Sequence, residues 1–396
     1  MKTSEKIYQV DSYMTHLQSE VISCVKEGDH YEVILDKTIF YPHMSGGQPK
    51  DEGTINGLAV FDVEERGEEI VHKLREPVSG RVNLSIDFPR RFDHMQQHTG
   101  QHILSYALSR LFDGNTVGFH LSGSYTTIDL DINLSNGMAE QAELLSNMII
   151  YENKSVTSRE YPYEEAVALD LRKCPPKLDF LRIISIEGYD YSACGGTHVR
   201  STGEIGIIKI TKTEKYKQGT RVEFLCGKRA LADYAAKNNN IASLSSLLTC
   251  RTDMLMENFE KVLNRNKQME KEQNILKSQL NDYKAKELKM NSQLKDNIRY
   301  VFAKTEDDVK DLRSICSRIT EENDFVAVLV SEAGGTCSVV IGQSKNLCFD
   351  IKNVFEKLKV IINGKGGGNN FLLQCSGDIL KGGECIMTAG KMLLNR

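Results

Sequence analysis

The chain lacks any apolar run long enough to span a bilayer, and its first residues, MKTSEKIYQVDSYMTH, contain no apolar segment of the kind found in secretion signals. We therefore expect a cytoplasmic protein without a membrane partner. Ten cysteines occur, but none forms a CxxC pair and their spacing is irregular. Because disulfide frameworks belong mainly to secreted proteins, we expect these cysteines to be reduced thiols, most of them buried.

The chain also lacks a strong excess of charge and a phosphate-binding loop. Its formal net charge is −4, which neither favours nor opposes nucleic acid, because such binding depends on local patches. The segment IINGKGGGNN (361–370) is rich in glycine, but the G-x-x-x-x-G-K-[ST] order of nucleotide-binding loops is absent. We predict no nucleotide site here; a flexible turn and a backbone nest for an anion are the two alternatives.

Four residues able to bind a borderline-soft metal ion are present as two pairs. His98 and His102 stand four apart, which on a helix places both imidazoles on one face. Cys194 and His198 flank a Gly-Gly pair, where the chain can turn back and aim both side chains inward. Mixed His/Cys ligation favours Zn²⁺ over Mg²⁺ or Ca²⁺. Either pair alone could equally consist of core or surface residues that bind no metal. Together, the two pairs predict a zinc site that the tertiary fold assembles.

The length of 396 residues predicts several domains, because a single hydrophobic core rarely organises so long a chain. We predict an α+β protein with a β-barrel-like domain over 1–88 and a two-layer α+β, zinc-binding domain over 89–228. Apolar residues at alternating three- and four-residue spacing predict a helical coiled-coil arm over 229–296. Alternating strand and helix patterns predict a glycine-rich α/β domain over 297–396.

A second glycine motif, Gly46-Gly47-Gln48, lies in the N-terminal domain. In isolation this tripeptide is similar to the peptidyl-tRNA hydrolysing loop of release factors. Its strand-rich surroundings beside Tyr41-Pro42 oppose that interpretation. A tight hairpin turn with an exposed glutamine is the alternative, since paired glycines let the backbone turn sharply or approach another surface closely.

Positive residues outnumber negative ones at the end of the α+β region. Seven of them stand against only Glu214 and Glu223; they are Lys209, Lys212, Lys215, Lys217, Arg221, Lys228 and Arg229. Such a patch would seat a phosphate backbone and make binding salt-dependent. A charge run of this kind is also typical of an ordinary solvated surface.

Taken together, FYPxxxGGQPxDxGTI, HTxxHILS and CGGTHVxxTGEIG resemble the motifs of the AlaX alanyl-tRNA editing proteins and of the editing region of alanyl-tRNA synthetase. The helical arm and glycine-rich last domain resemble the long form, AlaX-L. Synthetase-like versions often carry GGGRPDMAQ, whereas this chain has GGGNNFLLQ, keeping Gln374 and Gly377. A tRNA contact through the missing Arg-Pro-Asp is therefore not carried over.

The resemblance implies trans-editing, which is hydrolysis of the ester linking serine, or glycine, to alanine tRNA. An alanine pocket rejects both poorly, and a separate site that hydrogen-bonds the serine hydroxyl discriminates against alanine. The implied zinc ligands are His98, His102, Cys194 and His198. Candidates for catalysis and for reading the serine hydroxyl are Thr99 and Gln48. Further substrate-binding candidates are Gly46, Gly47, Thr38 and Arg200, and the candidate tRNA contacts are Lys209, Lys212, Lys215, Lys217 and Arg221.

Two other functions remain open. Threonyl-tRNA synthetase editing domains share the HxxxH and CxxxH arrangement, so Ser-tRNA(Thr) is an alternative substrate, and a non-catalytic tRNA-binding protein with structural zinc is the other. Four protein ligands are typical of a closed structural site. Catalysis would require a labile ligand, for which Cys194 is the candidate, or an expanded coordination shell that takes the substrate's amino group. No side chain stands out as a general base, and the C-terminal domain is a candidate homodimer interface.

Overall fold

The structure is a computed structural model, and it describes residues 4–43 and 47–395. Two compact units are present, one formed by Met1–Leu244 and the other by Ser245–Arg396. Helices and strands occur in both, which confirms the predicted mixture of α and β structure. The finer division at residues 88, 228 and 296 stays a prediction.

A seven-stranded, barrel-like sheet begins the first unit. Its region contains β1 (Glu5–Lys6), α1 (Ile7–Val10), β2 (His16–Glu27), β3 (His30–Leu35), β4 (Lys37–Thr38), β5 (Gly53–Ile55), β6 (Leu58–Val60), β7 (Asp62–Arg66), β8 (Glu69–Leu74) and β9 (Arg81–Ile86). The strand order is β6-β5-β9-β2-β3-β8-β7. The long β2 pairs first with β9 and then with β3, and its register shifts between Val21 and Ser23. Such a bulge increases local twist and lets one strand serve both halves of a curved sheet.

The two motifs that carry the predicted metal ligands lie in the following α+β region. It contains α2 (Phe88–Phe112), β10 (Thr116–Leu121), β11 (Thr126–Leu130), α3 (Asn136–Tyr151), β12 (Val156–Pro162), α4 (Tyr163–Val167), β13 (Phe180–Ile186), β14 (Asp190–Ala193), a 3₁₀ turn (Thr202–Ile205), β15 (Ile208–Tyr216) and β16 (Gly219–Cys226). Two antiparallel sheets, β10-β11-β16-β15 and β12-β13-β14, contribute to the core around α2.

Helix α2 carries the first ligand pair and has clear sequence signals at both ends. The Asp87 side chain accepts a hydrogen bond from the Arg90 amide, and a proline stands in the first turn. Asp113, at a φ of 53°, ends the helix in the left-handed conformation. Along most of its length the helix is buried, including its glutamines and histidines. A helix that buries so many polar side chains needs partners for them, and these partners form the site described below.

A buried ion pair ties the glycine-motif segment to the start of α2. Arg91 and Asp51 are both fully buried, and the Arg91 Nε lies 2.9 Å from Asp51 Oδ1. Arg91 also donates to the carbonyls of Ser12 and Ile39, while Asp51 accepts from the Tyr41 amide. The Asp of the FYPxxxGGQPxD motif therefore anchors the segment that carries Gln48 against the helix.

The second unit is built on a six-stranded sheet. Helix α5 (Gly227–Leu247) spans the boundary between the two units. The later elements are α6 (Leu255–Met290), β17 (Gln293–Lys295), β18 (Ile298–Thr305), α7 (Val309–Thr320), β19 (Phe325–Ser331), β20 (Cys337–Gln343), α8 (Ile351–Ile361), β21 (Lys365–Gly368), β22 (Leu372–Gly377) and α9 (Gly382–Leu394). The strand order is β17-β18-β19-β20-β22-β21, and among the described residues of this sheet only β18 and β19 pair in parallel.

The predicted arm over 229–296 differs from the structure in two ways. The helix is interrupted, because Thr249 adopts a φ of 49° and a short 3₁₀ turn precedes α6. It also ends at Met290, so that the last predicted arm residues form β17. Apolar residues at the predicted seam, such as Met269 and Leu276, are exposed. A coiled-coil partner for them stays a prediction.

The glycine-rich segment is an edge strand instead of a flexible turn. Residues of β21 pair antiparallel with β22. A Cβ added at Gly366 would lie 2.1 Å from the Gln374 carbonyl oxygen, and one at Gly368 would lie equally close to the Leu372 oxygen. The glycines are therefore required for this close pairing. Within the described residues, no helix is both long and apolar enough to cross a bilayer.

Candidate functional site: a His/Cys centre beside a cavity

Four donor side chains meet where α2 passes the loop that follows β14. Helix α2 supplies His98 and His102, one turn apart on one face. The loop supplies Cys194 and His198. One nitrogen or sulfur atom from each residue lies within 4.8 Å of the others. The structure therefore brings together all four residues predicted as metal ligands.

The distances from the sulfur donor to two of the histidines fit the spacing expected around a tetrahedral zinc ion. Cys194 Sγ lies 3.3 Å from His98 Nε2 and 3.4 Å from His198 Nε2. Zinc bonds of about 2.0–2.3 Å at tetrahedral angles place neighbouring donors roughly 3.3–3.6 Å apart. Three imidazoles and a thiolate also suit zinc better than magnesium or calcium, which prefer oxygen donors.

Each ligand histidine is held through its Nδ1 atom. The partners are Gln48 Oε1 at 3.0 Å for His98, Thr99 Oγ1 at 3.1 Å for His198, and Asp190 Oδ2 at 3.2 Å for His102. In each ring this leaves Nε2 as the nitrogen available to a metal. Partners of this kind fix the tautomer and orientation of metal-binding histidines. The cluster is therefore organised for binding by buried groups around it.

Asp190 is a partner of the donor cluster that was not predicted from the sequence. It is buried, and besides His102 it accepts hydrogen bonds from Arg172 Nε at 2.9 Å and Ser192 Oγ at 2.8 Å. Burial opposes ionisation, but the hydrogen bond with His102 and the charge of Arg172 lower the pKa of Asp190 to about 2. Asp190, Ser192 and Cys194 alternate along β14 and its extension, so this polar alternation was the available signal.

Electrostatic interactions favour the metal-binding forms of Cys194 and His198 but the protonated form of His102. Burial raises the pKa of a thiol, but the charges of His98 and His198 hold the pKa of Cys194 well below its ordinary value. Burial, with the charge of His98, lowers the pKa of His198 to about 3. Burial also opposes protonation of His102, yet its hydrogen bond with Asp190 raises the pKa of His102 to about 8. A thiolate and a neutral imidazole are the forms that bind zinc.

Two glycines are required by the packing around His98. A Cβ added at Gly196 would lie 2.1 Å from His98 Cε1 and 2.4 Å from its Nδ1. This approach is to the Cε1–Nδ1 edge of the ring, and a face of the same ring stacks on Phe119, with ring centroids 5.1 Å apart. Gly47 packs against that phenyl ring at a φ of +80°, and its added Cβ would lie 2.9 Å from Phe119 Cδ1. Glycine therefore permits close packing around this ligand.

A partly buried arginine holds the Cys-Gly-Gly loop through its backbone carbonyls. Arg182 Nη1 donates to the carbonyls of Cys194 and Gly196, both at 2.8 Å. Its Nη2 donates to the Gln9 carbonyl at 3.2 Å. This arrangement fixes the loop conformation that aims Cys194 at the histidines.

An open cavity of about 430 Å³ adjoins the donors. Its described lining contains three of the four ligands together with β10 and the loop before β13. These residues are His98, Gln101, His102, Thr116, Val117, Gly118, Phe119, Arg172, Lys173, Cys174, Pro175, Pro176, Ser192, Ala193, Cys194 and Gly195. A small substrate in this cavity would meet a metal held by the cluster.

Comparison with known proteins places this arrangement in a family. Residues 181–223 match the family described as "Threonyl and Alanyl tRNA synthetase second additional domain". The chain is 32% identical to the alanyl-tRNA editing protein AlaX-L of Pyrococcus horikoshii over 380 residues, which make up 93% of each protein. The chain belongs to the AlaX-L family of alanyl-tRNA editing proteins.

This AlaX-L family member also resembles longer proteins. It is 33% identical to the alanine–tRNA ligase of Pyrococcus abyssi over 98% of its own length, but spans only 43% of that ligase. It is 32% identical to the alanyl-tRNA editing protein Aarsd1 of Mus musculus over 66% of the chain and 68% of that protein. A solved C-Ala domain from Aquifex aeolicus alanyl-tRNA synthetase aligns with 26% of the chain and 98% of that domain, at 20% identity and a TM-score of 0.25, too weak a likeness to support an argument.

The residues predicted for catalysis and substrate binding are not all found at the cavity. Thr99 and Gln48 are buried and contact ligand histidines, so Gln48 is not the exposed hairpin residue considered from the sequence. Thr38 is buried in the barrel-like region, bonded to His72 Nε2 at 2.8 Å, and does not belong to the described cavity lining. Arg200 is exposed and lies over the Tyr13 ring at 4.0 Å, also outside that lining. Gly46 lies outside the described residues.

The predicted basic patch is largely neutralised by carboxylates from other elements. Lys209 pairs with Glu143, Arg221 with Asp129, and Arg229 with Asp93. These three carboxylates reduce the local excess of positive charge from five to two. Lys212 pairs with Glu214 within the patch, and Lys217 contacts the Tyr216 ring. The charge available to a phosphate backbone is therefore smaller than the sequence indicated.

Proposed function

We propose that this family member is a zinc-dependent trans-editing deacylase that hydrolyses mischarged Ser-tRNA(Ala), with Gly-tRNA(Ala) as a further substrate. The observation that carries the proposal is the exposure of the donor cluster to a cavity, which His98, His102 and Cys194 all line. Structural zinc sites with four protein donors are typically closed to substrate. Membership of a family of alanyl-tRNA editing proteins supports the choice of substrate.

The protein's own contribution is to position the donors and the ester. Gln48 Oε1 and Asp190 are acceptors that favour a proton on Nδ1 of His98 and His102, and the Thr99 hydroxyl contacts Nδ1 of His198, so that Nε2 of each ring faces the centre. Phe119 packs on a face of the His98 ring, and Gly196 lies against its Cε1–Nδ1 edge. When bound, zinc supplies a Lewis acid beside the ester and a position for the substrate's amino group or carbonyl oxygen.

The cavity contains no candidate for a carboxylate general base. Its described lining includes no aspartate or glutamate. We therefore propose that the attacking water is polarised at the centre or is activated by the terminal ribose hydroxyl of the tRNA itself. The hydrogen-bonding groups available in the cavity to a serine hydroxyl are Gln101, Thr116 and Ser192. Thr99 and Gln48 act on the reaction through the histidines that they orient.

Hydrolysis of Ser-tRNA(Thr) is the second candidate substrate assignment. The matching family includes threonyl as well as alanyl synthetase domains, and the donor set alone does not discriminate between them. The full-length similarity to alanyl-tRNA editing proteins favours alanine tRNA. A structural zinc site in a non-catalytic tRNA-binding protein would give the same metal content but no hydrolysis.

A deacylation panel with metal analysis tests these proposals. We expect one zinc ion per chain and hydrolysis of Ser-tRNA(Ala) in preference to Ser-tRNA(Thr) and Ala-tRNA(Ala). His98→Ala and Cys194→Ala should each lose zinc and most of the activity, whereas His16→Ala, at an exposed histidine on β2, should retain both. Unchanged deacylation in both ligand variants contradicts the zinc-centred mechanism, and cleavage of none of the three substrates by zinc-loaded protein leaves only the binding function.

We also propose that the chain forms a homodimer through its second unit, with α6 contributing a coiled-coil seam. The exposed apolar side chains of Met269 and Leu276 support this proposal, because exposed apolar stripes mark association surfaces. Light scattering on the full chain should give twice the monomer mass. Met269→Lys with Leu276→Lys should lower it, and Asn274→Lys, on the polar side of α6, should not. A monomeric wild-type chain rejects the proposal.

A further inference from the structure

The cavity beside the donor cluster has an uneven distribution of charge. Apart from the histidines and Cys194, its described lining carries formal charge only at Arg172 and Lys173, and both are positive. They are consecutive residues in the loop between α4 and β13. A zinc ion bound to the cluster would add further positive charge. The cavity is therefore suited to an anion.

Arg172 and Lys173 differ in how far a neighbouring carboxylate offsets their positive charge. Arg172 is fixed by Asp190, and its Nη2 donates to Ser192 Oγ at 3.0 Å, so a carboxylate offsets much of its charge. Lys173 is exposed, and no carboxylate of the described residues lies within 4.0 Å of its ammonium group. Lys173 thus carries the uncompensated charge at this cavity.

The backbone of the loop that carries Lys173 is conformationally restricted. Cys174 is followed by Pro175 and Pro176, which line the same cavity. Proline fixes its own φ and restricts the residue before it, so this part of the loop has fewer accessible conformations. On the other side of Lys173, the ion pair with Asp190 fixes the neighbouring Arg172. The backbone of Lys173 therefore loses less conformational entropy when its side chain binds a ligand.

We infer that Lys173, supported by Arg172, forms an anion subsite for the phosphate on the 5′ side of the tRNA's terminal nucleotide. The inference rests on the proposed deacylase function, because an ester bound at the donor cluster places that phosphate one nucleoside away. In the patch around Lys209 and Arg221, carboxylates already pair with the cations. The phosphate contact is therefore better placed at the cavity than at that patch.

Minimal substrates isolate the contact. We compare hydrolysis of the seryl ester of adenosine with that of the seryl ester of adenosine 5′-monophosphate, which differ only in the phosphate. The wild-type preference for the phosphorylated ester, taken as the ratio of kcat/KM values, should fall about tenfold in Lys173→Ala, because a hydrogen bond to a charged group is lost. The fall should occur in KM, since the phosphate is bound equally in the ground and transition states. Lys173→Arg should restore most of the preference.

Lys177→Ala is the matched control, because Lys177 is exposed in the same loop but does not belong to the described cavity lining. It should keep the wild-type ratio. An unchanged ratio in Lys173→Ala, or an equal fall in Lys177→Ala, overturns the inference. A fall in kcat alone, with KM constant, also overturns it, because that result indicates a role in the transition state.

Binding without turnover separates this inference from the proposed function. In calorimetric titrations of zinc-loaded protein, adenosine 5′-monophosphate should bind more tightly than adenosine, and Lys173→Ala should remove the difference. Inorganic phosphate should compete with the monophosphate in the wild type. If the wild type binds in this way but hydrolyses no seryl ester, the deacylase proposal fails and the subsite stands. If it hydrolyses Ser-tRNA(Ala) but binds the two nucleosides equally, the subsite fails and the deacylase proposal stands.

Discussion

Replacing Gly196 by alanine should disturb the zinc centre without changing a single donor. The added methyl carbon would lie 2.1 Å from His98 Cε1, so the ring or the loop must move by about 1.3 Å to reach an ordinary 3.4 Å contact. The His98 ring stacks on Phe119, and Gln48 holds its Nδ1 atom at 3.0 Å. The loop is held by Arg182. Neither side can relax freely, so the geometry of the centre must change.

The expected cost follows from the size of this displacement. Loss of a group that orients a metal ligand typically weakens binding 10–100-fold, which corresponds to about 1.4–2.7 kcal/mol. We expect the Kd for zinc, measured by competition with a chromogenic chelator, to rise by this factor, and Ser-tRNA(Ala) deacylation at limiting zinc to fall with it. Gly137→Ala is the control, because a Cβ added there meets nothing within 4 Å. Wild-type zinc affinity in Gly196→Ala would refute the argument that the glycine makes room for His98.

Three further predictions concern other contacts. Asp190→Asn should weaken zinc binding 10–100-fold in the chelator assay, because His102 loses the carboxylate that orients it; an unchanged Kd would assign Asp190 a purely structural role. Gly100→Ala should destabilise the fold by about 1–3 kcal/mol in urea unfolding, because its Cβ would lie 2.3 Å from Cys226 Sγ; combined with Cys226→Ala, it should cost less than the sum of the two single changes, and additive costs would contradict the clash. Burial lowers the pKa of His72 from 6.5 to about 4; the unfolded state therefore binds the proton first, and stability should be complete above pH 6.5 and fall toward pH 4 by at most about 3 kcal/mol. His72→Gln should flatten that part of the pH profile, and an equally steep profile in the variant would assign the effect to other groups.

The donor set could be predicted from the sequence because its information is local. A spacing of four on a helix fixes the relative direction of His98 and His102, whatever the helix packs against. The Gly-Gly pair between Cys194 and His198 likewise specifies a sharp turn. The strand and helix patterns of the second unit were predictable for the same reason, since hydrophobic period depends on neighbours in sequence.

Partners of these residues could not be predicted in the same way. Gln48 lies 50 residues from His98 in sequence, and it looked like a surface residue of a turn because nothing local indicates the histidine that it meets. Thr99 looked available to substrate, although its hydroxyl contacts His198 across 99 residues. The charge of the patch around Lys209 was overestimated because Glu143, its partner, belongs to a distant helix.

For this protein, sequence by itself determined the family motifs, the four donors, the mixed α and β composition and the absence of a phosphate-binding loop, since each depends on residue type and short spacing. Tertiary structure alone decided which side chains hold the donors, that Asp190 and Arg172 stand behind His102, and that a cavity with an unpaired Lys173 adjoins the centre. These features depend on side chains far apart in sequence, and only the packing of α2 between the two sheets and the loop after β14 brings them within hydrogen-bonding distance.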